Sequence, residues 1–73
     1  MMDTHVQEAI KELELFEMAA IKMDQLLFQF HTEKGAHLNQ DALDALGRAV
    51  SVAGTLRINV TTSLAHMEAA RDA

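Results

Sequence analysis

Apolar side chains recur along the first half of the chain at intervals of three and four residues: Val6, Ala9, Leu13, Phe16, Ala20, Met23, Leu27 and Phe30. That spacing is a heptad seam held over about four repeats, with no two-residue alternation competing. The second half carries Leu43, Leu46, Ala49, Val50, Ala53, Leu56, Val60, Leu64 and Met67 in the same way. Between them stands Lys34-Gly35-Ala36-His37-Leu38-Asn39, and the chain has no proline. The pattern predicts an all-α fold: a helix over about residues 4–34, a turn over 35–39 and a helix over about 40–71. Residues 1–73 then form one antiparallel hairpin domain, with arms about 45 Å long at ~1.5 Å per residue.

Local chemistry supports these boundaries. Thr4 and Gln7 have the spacing of a capping box, with Asp3 as the rival cap. Glu8 suits the positive end of the first helix dipole and Lys34 the negative end. Gly35 stands where a left-handed residue would end the helix. Asn39 is a good N-cap, Asp41 follows in the first turn, and Leu38 and Leu43 occupy the hydrophobic-staple positions. A turn centred near residue 36 would set Leu56 opposite Phe16, Ala49 opposite Met23 and Leu46 opposite Leu27, small against large. The β-branched run Ile58-Asn59-Val60-Thr61-Thr62 has weak helix propensity, but no glycine or proline marks a break there. Gly47, Ser51 and Gly54 form a flank of small residues suited to close helix approach.

The first arm is more apolar than one seam requires. Ile10, Ile21 and Phe28 flank the stripe on one side; Leu15, Ala19 and Leu26 flank it on the other. The polar strip is narrow: Gln7, Lys11, Glu14, Lys22, Gln25 and Gln29, with Met18 in its midst. A helix apolar on most sides is buried on most sides, which one neighbouring arm cannot achieve. The expected remedy is a homodimer forming a four-helix bundle. Its core would be built from Leu13, Phe16, Met23, Leu27, Phe30, Leu46, Val50, Leu56, Val60 and Leu64.

Composition narrows the function classes. Of 73 residues, 49% are hydrophobic and 23% charged, too apolar for disorder driven by polarity. So short a chain buries little of its surface, and with no cysteine it cannot be stapled by disulfides. The net charge of -5 disfavours nucleic acid, and the acidic excess sits on the first arm. No apolar run approaches the ~18 residues of a membrane span. The N-terminus lacks a basic, apolar leader, so the cytoplasm is the default expectation.

Candidate chemistry is sparse. His5, His31, His37 and His66 show no ligand spacing on one helix face, so no metal or other cofactor is expected. Ser51 and Ser63 have no histidine fixed beside them, no glycine-rich loop could hold a phosphate, and Glu14 and Glu17 read as a solvated face. No catalytic residue is expected. Arg57 interrupts the second stripe, as a partner-binding arginine or as the ion-pair partner of Glu17. Leu15, Met18 and Lys22 are the candidate edge of a protein-binding patch, an apolar centre within a polar rim. In outline the hairpin is similar to the Rop-type hairpin dimers and the small helical chaperones of secretion systems, in shape and without a shared motif. The expectation is a non-enzymatic protein-binding module, a small regulator or inhibitor that occludes a partner. The alternative is a chaperone covering an amphipathic helix; a Rop-like nucleic-acid binder ranks below both.

Overall fold

The computed structural model describes residues 4–72. Helix α1 runs Thr4–Lys34, a short 3-10 turn spans Gly35–His37, and helix α2 runs Gln40–Asp72. The helices pack antiparallel, and no strand occurs among the described residues. The Cα trace is a rod of 56 × 14 × 13 Å.

Asn39 decides where α2 begins. Its Oδ1 accepts the Ala42 N–H at 2.8 Å, and its carbonyl accepts the Leu43 N–H at 2.9 Å. A donor that would otherwise be orphaned is thereby satisfied. Gln40 Nε2 then donates to Asp44 Oδ1 one turn on, at 2.7 Å. The β-branched run at 58–62 stays within α2, where packing overrides propensity. At the other boundary α1 already includes Thr4, and the rival cap Asp3 lies outside the described residues.

The left-handed exit expected at Gly35 is absent, since no described residue has a positive φ, glycine included. The chain leaves α1 by tightening into the 3-10 turn. The Leu38 N–H donates to the Gly35 carbonyl at 3.1 Å, and Leu38 itself is extended. Gly35 is therefore not held in a conformation that only glycine reaches. It is buried, and a Cβ there would stand 3.4 Å from Leu43 Cδ1. Gly47 and Gly54 do not mark close helix approach. A Cβ at Gly47 meets nothing within 4 Å, and one at Gly54 meets only Asp24 Oδ1, at 3.9 Å.

The inter-helix seam differs from the apolar stripe. Ile10 and Ala20 on α1 and Ala53 and Leu64 on α2 are buried; Leu13, Leu27, Leu46, Val50 and Val60 are half-buried. Phe16, Met23, Phe30 and Leu56 are exposed within the hairpin, at 57, 52, 45 and 46%. Their places on the α1 seam are taken by Glu17, Asp24 and His31, all half-buried. This turns α1 by about 50° from the expected orientation, at 3.6 residues per turn. Two polar links account for it. Arg57 Nη1 donates to Asp24 Oδ2 at 2.9 Å, and Thr61 Oγ1 donates to Glu17 Oε2 at 2.8 Å. Rotating Phe16 and Met23 inward would carry Glu17 and Asp24 out and break both.

The same links set the register. Residues of α2 meet residues of α1 about two turns nearer the hinge than a turn centred at 36 implies. The turn and its cap reach to Asn39, so the true centre lies later in the chain.

Candidate functional site

With the seam turned, the largest apolar side chains of α1 gather on one side of the rod. Phe16, Ala19, Met23, Leu26 and Phe30 follow one another at helical spacing and are all exposed. They line two open hollows. The first, of about 720 Å³, is walled by Ala19, Met23, Leu26, Leu27 and Phe30 and edged by Lys22, Gln29, Glu33 and Lys34. The second, of about 320 Å³, lies between the helices and is lined by Phe16, Ala19, Ala20, Met23, Leu56 and Val60. Ala19 and Met23 belong to both, so the two hollows form one continuous apolar face. Val52, one turn before Leu56, extends it along α2 and is 66% exposed.

Among the candidate partner-binding residues, Lys22 sits on the rim of the larger hollow. Leu15 and Met18 are exposed and line neither hollow; with Lys22 they follow one another at helical spacing along α1, beside the apolar face rather than on it. Arg57 is engaged inside the hairpin. Its partner is Asp24, not Glu17, whose carboxylate takes the Thr61 hydroxyl instead. The side chains of Arg57 and Asp24 remain 47% and 22% exposed, so the pair orients the helices more than it stabilises them.

Elsewhere polar groups are scattered. His5 Nδ1 lies 3.9 Å from Glu8 Oε2. The register carries His66 about two turns away from the level of His5, at 1.5 Å of rise per residue. His37 is exposed in the turn, whereas His31 is half-buried at the hinge end of the seam. No group of three or more potential metal ligands is brought together among the described residues. A polar hollow at the open end is lined by Gln7, Ile10, Lys11, Glu14, Arg71 and Asp72. No helix of the described residues is long and apolar enough to cross a membrane.

Compared with protein-family models, curated proteins and solved structures, the chain matches none. What the arrangement can do therefore has to be read from the face itself. A broad apolar surface with few convergent polar groups is suited to binding another apolar surface. The signal for it was present in the sequence as the doubled stripe of α1. What periodicity could not tell was which half of that stripe faces α2.

Proposed function

We propose that this hairpin is a non-enzymatic protein-binding module that pairs with a second copy of itself into a four-helix bundle. In the cytoplasm it would act as a small regulator, occluding a surface of another protein. One observation carries the reading: the apolar face running from Phe16 to Phe30 and across to Leu56, on a rod whose only buried apolar side chains among the described residues are Ile10, Ala20, Ala53 and Leu64. A chain of this size that leaves its aromatic residues outside lacks the burial needed to offset the entropy of folding. A second layer of helices would supply it.

The larger hollow favours one rival. Open and lined by α1 alone, with Met23 and Phe30 upon it, it would suit the apolar side of a client helix, as a chaperone needs. Sedimentation equilibrium at micromolar concentration separates the two. Pairing predicts twice the chain mass of 8.1 kDa for the parent, and one chain mass for Phe16→Glu combined with Phe30→Glu, with helicity followed by circular dichroism. A parent that stays at one chain mass, well folded, would sink the pairing and favour the client-binding reading.

A further inference from the structure

The apolar face is a near-palindrome along α1. Met23 lies at its centre, with Phe16 seven residues before it and Phe30 seven after. Ala19 and Leu27 stand four residues to either side, small against large. Glu12 and Lys34 stand eleven residues to either side, opposite in charge and both exposed. All lie on one side of α1, since these spacings keep close to whole turns of the helix.

Helix α2 has its own mirror point. About Leu56, Val52 and Val60 are four residues away on either side, and Ala49 and Ser63 seven. Leu56 and Met23 line the same hollow, so the two mirror points fall at one level of the rod. A two-fold axis crossing the rod at right angles, in the plane between two hairpins, must pass both helices at one level. It lays α1 antiparallel on α1 of the copy, and α2 antiparallel on α2.

We propose, building on the pairing reading above, that the occupant of this face is a second copy related by a two-fold axis through Met23 and Leu56. In this arrangement Met23 meets Met23, Phe16 meets Phe30 and Glu12 meets Lys34, each contact made twice. An isologous interface demands such self-complementarity, and a generic partner helix would not. Charge agrees with shape: each end of the α1 pair brings a carboxylate to an ammonium. Area agrees as well. Aromatic side chains bury about 150–250 Å² each when wholly covered, and aliphatic ones less. With about half of the surface open on Phe16, Met23, Leu26, Phe30, Val52 and Leu56, each copy offers on the order of 500 Å², the same order as the ~800 Å² per partner of a stable interface.

The chain contains no cysteine, so introduced thiols report without background. Under oxidised glutathione, which accepts the two electrons, a disulfide forms only where two Cβ atoms approach to about 4 Å. Met23→Cys should link to itself, and so should Leu56→Cys, which serves where the first substitution disturbs packing. Phe16→Cys alone should not link, but mixed with Phe30→Cys it should give the heterodimer. Glu12→Lys should weaken association roughly ten-fold, as should Lys34→Glu, and the two together should restore it. A dimer in which neither Met23→Cys nor Leu56→Cys links, or in which Phe16→Cys links to itself, overturns this arrangement and leaves pairing standing. A one-chain mass for the parent overturns pairing itself.

Discussion

At the scale of single residues, the hinge depends on the side chains of Asn39 and Leu43. Asn39 supplies the oxygen that satisfies the Ala42 N–H, and Leu43 packs close to the buried Gly35. Asn39→Ala should therefore destabilise the fold by about 1 kcal/mol, as loss of an N-cap does. Gly47 is the contrasting case. Nothing lies within 4 Å of a Cβ placed there, so Gly47→Ala should stabilise by about 0.5–1 kcal/mol through helix propensity and a less flexible unfolded chain. The shift in urea midpoint checks both. A Gly47→Ala variant less stable than the parent would mean that something covers that flank. The cap was legible in the sequence because Asn39 acts on a neighbour three residues away. The approach of Leu43 to Gly35 was not, because it depends on how the turn brings α2 back.

At the scale of the helices, existence and boundaries could be read from periodicity, whereas orientation could not. Two stripes compete on α1. One runs through Phe16, Met23 and Phe30, the other through Ile10, Glu17 and Asp24, with Val6, Leu13, Ala20 and Leu27 common to both. Hydrophobicity favours the first for the seam, and the polar links to Arg57 and Thr61 select the second. No spacing within α1 contains that information, since the deciding partners sit on α2. The register was missed for a related reason: it depends on how many residues the turn consumes. A double-mutant cycle tests the outcome. Asp24→Ala and Arg57→Ala should couple by about 0.5 kcal/mol, in keeping with a half-exposed pair, while Glu17→Ala and Arg57→Ala should be additive. Coupling of Arg57 to Glu17 instead would shift α2 by about two turns, to the register that a turn centred near residue 36 implies.

For the whole molecule, what matters is the mismatch between a narrow seam and a wide apolar circumference. Exposure of Phe16 at 57% changes what its removal should do. Within one hairpin the ring is too wet for its loss to cost the ~3–5 kcal/mol of a fully buried phenylalanine. If the face is covered by a second copy, the penalty appears only as association becomes populated. The parent's thermal midpoint should therefore rise with protein concentration, by mass action, and the gap to Phe16→Ala should widen with it. Midpoints that are independent of concentration from low micromolar to high micromolar would refute the coupling of fold to assembly.

The single hinge also bears on the order in which the molecule forms. Near Gly35 and Leu43 the partners across the seam are only a few residues apart in the chain, whereas at Gln7 and Arg71 nearly its whole length lies between them. Closing a short loop takes about 10–100 ns, and each further pair becomes local once the pair before it has met. Folding of the hairpin is thus a zipper with one starting point. Slow exchange of amide hydrogens should be greatest in the turns flanking the hinge and fade toward the open end, where the last contacts made are the first to fray.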